Sequence, residues 1–192
     1  MDEKWNYIPG TEEMIPCDTL LLSVGLIPEN ELSRQAGVAI DPVTAGPYVD
    51  DEFQTNVPGV FSAGNVVHVY DLVDWVTEAG FTAGKAAARL VAQGLSAEKK
   101  SIPLIAGENV RYAVPHTLCP AHLAEGDIRV QMRVKRPIEK PVWVEIRNGG
   151  SLLHRKAEPY ARPGEMVTIP IRSSLFDEVS AAGELTVAIV ER

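Results

Sequence analysis

Residues 55–65 are the part of the sequence best suited to hold a ligand against the backbone. They read Thr55-Asn56-Val57-Pro58-Gly59-Val60-Phe61-Ser62-Ala63-Gly64-Asn65. Pro58 and Gly59 predict a turn, and the apolar residues after them predict a short buried strand. The small residues that follow predict a sharp corner before the next helix. Because glycine carries no side chain, the backbone at such a corner can contact a ligand directly.

The same stretch resembles the second flavin-binding motif of the pyridine nucleotide-disulfide oxidoreductase superfamily. Asn65 stands where the family has an aspartate that hydrogen-bonds the ribityl chain of FAD. An asparagine amide still donates and accepts hydrogen bonds, but it has no charge. The resemblance implies that Gly64, Asn65 and Val66 contact FAD. The sequence leaves open that Asn65 only caps the segment after it.

A second stretch, residues 18–30, resembles the part of the same family in which the chain returns from the NAD domain to the FAD domain. The family's Ala-Thr-Gly stands here as Ser23-Val24-Gly25. A short, strand-rich excursion separates the two motifs, as it does in the family. The resemblance therefore implies that Gly25 also belongs to the cofactor site.

The helix predicted after Asn65 is the third feature that the resemblance brings to the flavin. By their position before Ala83-Gly84-Lys85, Thr77, Glu78 and Ala79 are the residues assigned to the ring. The free N–H groups and the positive dipole end of the helix would face the pyrimidine carbonyl and favour a reduced, anionic flavin. The same spacing is also typical of an ordinary amphipathic helix.

Two parts of a complete flavoenzyme do not occur in this sequence. It contains no G-x-G-x-x-G motif to cradle the cofactor pyrophosphate, and it contains no Cys-x-x-Cys redox pair. We therefore predict the C-terminal part of an FAD-dependent, NAD(P)-linked oxidoreductase. It has no residue that can be named as catalytic, and the isolated chain is expected to lack turnover. FAD is expected to bind weakly or not at all, and NAD(P) only to a complete relative. The competing prediction is a non-catalytic assembly subunit with a relic flavin fold.

A different chemistry is conceivable at His116, Cys119 and His122, whose spacing a metal ion could use. No fourth ligand is evident, and Pro115 and Pro120 indicate a surface loop. We therefore predict no metal site. A metal-binding accessory domain is a third hypothesis, after the flavoprotein and the assembly subunit.

The remaining charged and histidine residues are expected to be solvated. His68 is predicted to be partly exposed at the start of the helix. An acidic first helical turn is predicted to face water, with Asp71, Asp74 and Glu78. A basic sheet edge is also predicted to face water, with Arg133, Lys135, Arg136 and Lys140.

The elements that must position these residues change character near residue 100. Residues 19–25 and 60–64 predict strands buried on both faces, which are typical of a parallel sheet. Shorter patterns predict a helical turn at 31–36 and edge strands at 38–40 and 47–49. Apolar residues at helical spacing predict a long helix over 72–93, with Gly94 as its stop.

The second half alternates with period two, which predicts short antiparallel strands. The alternation is found at residues 130–134, 142–146, 167–171 and 185–189, and two further strands are expected at 110–114 and 152–154. We therefore predict an α/β, partial FAD-binding (Rossmann-like) segment at residues 1–95, a linker at 96–101, and an all-β immunoglobulin-like sandwich at 102–192.

Composition and charge limit the partners of the chain. A formal net charge of −8 argues against a nucleic-acid or anionic-membrane footprint, because either needs a concentrated basic surface. No apolar run is long enough for a membrane helix, and the two cysteines with the polar N-terminus predict a reducing cytoplasm. A fragment with unpaired apolar strands should associate, either as a homodimer or with a missing N-terminal flavoprotein chain.

Overall fold

The computed structural model of the chain describes residues 6–23, 25–94 and 100–192. The helices are α1 Glu31–Gln35, α2 Val73–Gln93, α3 Pro120–Leu123 and α4 Phe176–Ala181, with 3-10 turns at Gly64–Val66 and Ser173–Leu175. The strands are β1 Ile102–Ala106, β2 Val110–Val114, β3 Thr117–Leu118, β4 Ile128–Val134, β5 Val142–Asn148, β6 Ser151–Glu158, β7 Val167–Ile171 and β8 Leu185–Glu191.

The strands form two sheets. One has five strands in the order β3-β1-β8-β5-β6, and the other has three in the order β2-β4-β7. All six strands predicted in the second half are present. The pairings among these six strands are all antiparallel, as predicted. Strand β1, which was not predicted, adds a parallel pairing with β8. Pro103 weakens the strand signal of β1, and β3 is too short to show a period.

One apolar core lies between the two sheets. Inward-facing residues of both sheets, such as Met132, Ile169, Ile146 and Ile189, belong to a single cluster and are fully buried. Burying each such side chain contributes about 1.5–3 kcal/mol before the loss of chain entropy is counted. The alternation that predicted the strands therefore also supplies the core.

The first predicted strand is absent from the structure. Leu20, Leu21 and Leu22 have no strand partner and are 72%, 89% and 77% exposed. Val24 lies outside the described residues. An apolar strand of a parallel sheet needs a neighbour on each side, and no described residue pairs with this segment. The prediction of a doubly buried strand at 19–25 was therefore wrong for this chain.

The second predicted strand, at 60–64, was also wrong. It is reduced to a single antiparallel bridge between Phe61 and Gln54. The predicted edge strands at 38–40 and 47–49 are likewise reduced to one bridge, between Ile40 and Pro47. Without longer neighbouring strands, these short segments cannot extend a ladder.

The helical predictions were confirmed. α1 covers most of the predicted turn at 31–36, and α2 begins and ends within one residue of the predicted bounds. Gly94 ends α2 with a φ of 77°, and its N–H donates to the Leu90 carbonyl at 2.8 Å. Such a left-handed residue stops a helix at low cost only when it is glycine.

Residues 38–71 pack against the strands of the second half. Val49 and Val67 form a small buried cluster with Tyr112 and Val114 of β2. The mixture of helices and sheets is compatible with a partial Rossmann-like fold. The predicted division at 1–95, 96–101 and 102–192 stays a prediction, and residues 95–99 lie outside the described residues. No helix among the described residues is long and apolar enough to cross a membrane.

Candidate functional site

The corner at Gly64 has the geometry that only glycine adopts easily. Its φ is +80°, and a Cβ built on it would lie 3.3 Å from Cγ1 of Val76 in α2. The corner and the start of α2 are therefore in close contact, and a side chain at position 64 would require both a strained φ and a small shift of Val76. Gly25 also has a positive φ, of +96°, but nothing lies within 4 Å of its Cβ position.

The two polar atoms of the Asn65 side chain, Oδ1 and Nδ2, have different surroundings. Its Oδ1 atom accepts a hydrogen bond from the Tyr70 N–H at 3.1 Å, so the side chain caps the following loop. No described residue accepts from the Nδ2 group, which can therefore donate to a ligand. Asn65 can therefore cap the following loop through Oδ1 and contact a ligand through Nδ2 at the same time.

Val66 is hydrogen-bonded through its backbone carbonyl. Its carbonyl accepts a hydrogen bond from Nδ2 of Asn30 at 2.8 Å, and the same amide donates to the Ala45 carbonyl at 3.0 Å. Asn30 is 4% exposed, so these bonds are shielded from water. The loop after the corner is therefore held against Asn30, the last residue of the stretch 18–30.

The start of α2 is open to a ligand. Leu72 is its N-cap residue and makes no side-chain capping bond, and both Leu72 and Val73 are exposed. The first N–H groups of a helix have no partner within the helix, so they and the dipole favour a negative or carbonyl group here.

Thr77, Glu78 and Ala79 do not form one surface. Thr77 is exposed and its Oγ1 donates to the Val73 carbonyl at 3.0 Å, whereas Ala79 is buried. Glu78 forms an ion pair with Arg129 of β4. Residues 77 and 79 point in different directions because each helical residue turns the chain by about 100°. Their assignment to a flavin stays a prediction.

An open cleft of about 450 Å³ lies between α2 and the strands. Its walls include Trp75, Glu78 and Ala79 from the helix, and His122 and Arg129 from the second half. Two of the predicted site residues therefore face this cleft, while Gly64 and Asn65 are not part of its lining.

The comparison of the sequence with protein families identifies the family of this chain. The profile of the family described as pyridine nucleotide-disulphide oxidoreductase matches residues 2–110, which is more than half of the chain. The chain belongs to this family. The match contains both motifs that suggested it and extends into β1.

Similar stretches occur in proteins of this family with known names. The chain is 38% identical over 61 residues to dihydrolipoyl dehydrogenase of Manduca sexta and 41% identical over 59 residues to mitochondrial dihydrolipoyl dehydrogenase of Caenorhabditis elegans. It is 37% identical over 60 residues to thioredoxin reductase of Listeria monocytogenes. These matches cover 31%, 30% and 31% of this chain, and 12%, 12% and 18% of the relatives. The matched part therefore spans less than a fifth of each relative. No solved structure matches the chain.

His122 lies in a cluster that the sequence pattern does not reveal. Its Nδ1 atom is 2.7 Å from Oδ2 of Asp51, and its Nε2 atom is 3.0 Å from Oε2 of Glu52. The other oxygen of Asp51 accepts a hydrogen bond from the Cys119 N–H at 2.7 Å. The partners are 71 positions apart, so no local motif marks them.

The first residue of the predicted metal pattern, His116, points elsewhere. Its Nδ1 atom accepts a hydrogen bond from the Val49 N–H at 3.1 Å, and its Nε2 atom is 3.4 Å from Oδ2 of Asp41. Burial lowers the pKa of His116, although the nearby carboxylate of Asp41 acts against this shift. His116 and His122 thus contact different carboxylates. In the part of the chain that the structure describes, no three His, Cys, Asp or Glu side chains are placed to hold a metal ion.

The prediction that His68 is partly exposed was wrong. The residue is 1% exposed, and its ring packs against Tyr70 and Tyr112 with centroid distances of 4.3 Å and 5.7 Å. Neither ring nitrogen has a hydrogen bond of good geometry among the described residues. Burial, followed by the charge of Arg133, lowers the pKa of His68 to about 3. The imidazole is therefore neutral and shielded, which its place in the sequence did not show.

The predictions of a solvated acidic turn and a solvated basic edge were wrong at two positions. The side chain of Arg133 is only 14% exposed, and its Nη2 atom lies 2.5 Å from Oδ1 of Asp71. The two residues are 62 positions apart in the chain. Neither local charge pattern could therefore predict that one neutralises the other.

Proposed function

We propose that this chain is the C-terminal part of an FAD-dependent, NAD(P)-linked oxidoreductase. The observation that carries the proposal is the corner at Gly64 and Asn65, placed directly against the start of α2 in a member of this family. When bound, FAD would accept hydride from NAD(P)H and pass electrons to an acceptor.

The residues of the corner fit the parts of FAD that they would meet. The Nδ2 group of Asn65 is available to donate to a ribityl hydroxyl, and Gly64 places no side chain at the corner. The uncapped start of α2 offers N–H groups to the pyrimidine carbonyl. The donor set therefore suits a neutral polar chain and a partly negative ring.

The isolated chain is proposed to lack turnover, because half of the cofactor cradle is not encoded in it. The sequence has no glycine-rich pyrophosphate turn, and the exposed Gly25 has no heavy atom of a described residue beyond its chain neighbours within 4 Å of its Cβ position. FAD is accordingly expected to bind weakly or not at all without the remainder of the site.

We further propose that a chain carrying the N-terminal, dinucleotide-binding half covers the exposed apolar surface. Leu21 and Ile27 are 89% and 84% exposed, and Phe81 and Val91 on the outer face of α2 are 67% and 87% exposed. Exposed large apolar side chains favour association with a partner when they lie in contiguous patches. A homodimer is the other way to cover them.

For the second half, we propose an immunoglobulin-like sandwich with a shared core. Support comes from the two sheets that bury one apolar cluster between them. A cytoplasmic location remains a proposal, consistent with the two free cysteines, Cys17 and Cys119.

One observation favours the alternative of a non-catalytic assembly subunit. The leucine-rich segment at 19–25 belongs to the stretch 18–30 that resembles the family, but it does not form the strand that this resemblance predicts. If no partner restores this strand, the flavin corner is a relic and the surface serves assembly alone.

The test is a titration of the purified chain with FAD, followed by flavin absorbance and fluorescence. We compare the original chain with Asn65→Ala, Asn65→Asp and, as a matched control at the exposed far end of α2, Gln93→Ala. Loss of one hydrogen bond should weaken FAD binding roughly fivefold in Asn65→Ala. Asn65→Asp and Gln93→Ala should bind as well as the original chain.

The outcomes separate the two functions. Saturable binding that depends on Asn65 supports the flavin site. Absence of binding at millimolar FAD, also with the N-terminal half of a family member added as a separate chain, refutes it and leaves the assembly subunit. Sedimentation of the same samples shows whether the apolar surface is covered by a second copy.

A further inference from the structure

Strand β4 presents two different faces along its length. Val130 and Met132 point into the core and are fully buried. The alternate residues Arg129, Gln131 and Arg133 therefore point to the opposite face, because side chains alternate along a strand. We call these three residues the outer row of β4. They face the segment that joins the flavin corner to α2.

Arg133 holds the end of this segment at two points. Its Nη2 atom donates to the Val69 carbonyl at 3.1 Å and lies 2.5 Å from Oδ1 of Asp71. The other oxygen of Asp71 accepts a hydrogen bond from the Met166 N–H at 2.6 Å. Burial acts to lower the pKa of Arg133, but the hydrogen bond and charge of Asp71 raise it above its ordinary value. Both oxygens of Asp71 are thus bound by the second half, two residues before α2 begins.

The middle of the row contacts the buried part of the segment. Gln131 is 5% exposed and approaches His68, which is wedged between Tyr70 and Tyr112. Val67 beside it is fully buried. The chain between the corner and the helix therefore has little freedom to move.

The end of the row reaches the helix itself. Arg129 forms an ion pair with Glu78, which stands five residues into α2 and so about 7.5 Å along its axis from Val73. Together with Arg133 at Asp71, this half-exposed contact links the first turns of α2 to β4 at a second point. The same arginines pair with the carboxylates of Asp71 and Glu78, which lie before and after the first turn of α2.

We propose that Arg133 and Arg129 in the outer row of β4 are positioning residues for the flavin site. They hold the start of α2 against the corner at Gly64 by pairing with Asp71 and Glu78. The β-rich half is then a part of the site rather than a separate module. That the ligand at the helix start is FAD rests on the proposed function.

The first experiment measures hydrogen–deuterium exchange of the full chain without FAD. The amides of residues 77–80 bond the carbonyls of the first helical turn, so they report the stability of the start of α2. In Arg133→Gln their exchange should be at least tenfold faster, because a charge-assisted contact is lost. Amides of β5 and β8 should not change. The matched control is Arg136→Gln, an exposed arginine just beyond β4, which should exchange like the original chain.

A second variant keeps the test decisive if Arg133→Gln does not fold. Asp71→Asn has the same shape, loses the charge, and should show the same local acceleration. The acceleration in the double variant should be smaller than the product of the two single accelerations, since the two residues share one ion pair. Unchanged exchange at residues 77–80 in a folded variant would overturn the proposal.

The second experiment adds FAD and measures the reduction potential and the affinity. In Arg133→Gln the carboxylate of Asp71, two residues before α2, loses its charged partner. This unpaired negative charge should make the flavin potential more negative and weaken binding about tenfold, while Arg136→Gln keeps both. An unchanged potential and affinity would overturn the role in the flavin site. If the original chain binds no FAD, the proposed function fails, whereas the exchange experiment alone still decides whether the outer row holds the helix.

Discussion

Replacing His68 should remove a large part of the acid sensitivity of this protein. His68 is 1% exposed, its ring nitrogens lack well-formed hydrogen bonds, and burial with the charge of Arg133 lowers its pKa to about 3. In the unfolded chain the pKa of a histidine is about 6.5. The unfolded chain therefore binds a proton in a range of pH where the folded chain does not.

The sign and size of the effect follow from proton linkage. The stability linked to His68 is complete above the unfolded pKa and is lost as the pH falls from about 6.5 towards 3. Between pH 7 and pH 5 this loss amounts to about 2 kcal/mol in the free energy of unfolding, because each unit of pKa difference corresponds to roughly 1.4 kcal/mol.

The assay is equilibrium unfolding in urea at pH 7 and at pH 5, for the original chain and for His68→Leu. Leucine is close to histidine in volume and does not titrate, so the variant should lose about 2 kcal/mol less between the two pH values. His154→Gln, on the partly exposed strand β6, is the control and should keep most of the original loss. If the original chain and His68→Leu lose equal amounts, His68 is not buried as a neutral ring and the reasoning fails.

Three further substitutions test the packing. Gly46→Ala would place its Cβ onto the Val67 carbonyl, so we expect no folded protein at 37 °C; a cooperative thermal transition near that of the original chain would contradict the close contact. Gly84→Ala has nothing within 4 Å of its Cβ and should raise the free energy of unfolding by up to about 1 kcal/mol, measured in urea, while weakening association if a partner packs on that face. Ile146→Ala empties a fully buried position of β5 and should cost about 2–5 kcal/mol in the same assay; a cost below about 1 kcal/mol would show that the core can close around the gap.

Local periodicity in the sequence was enough to determine the regular elements. The bounds of α2 follow from apolar residues at helical spacing and from Gly94, and four of the six predicted strands follow from alternation. Each of these signals involves residues a few positions apart, which any fold must place side by side. The corner at Gly64 and Asn65 was also visible in the sequence, because its small residues and their order are local.

The tertiary structure alone decided which distant residues meet. Arg133 pairs with Asp71 across 62 positions, and His122 meets Asp51 across 71, although each looked like a solvated charge or an isolated ligand in the sequence. The same reason explains the failed strand at 19–25. Its apolar residues were correctly recognised as able to be buried, but burial requires neighbouring strands, and no described residue supplies them. Sequence patterns thus determined what each segment can form, and contacts between remote segments determined what it became.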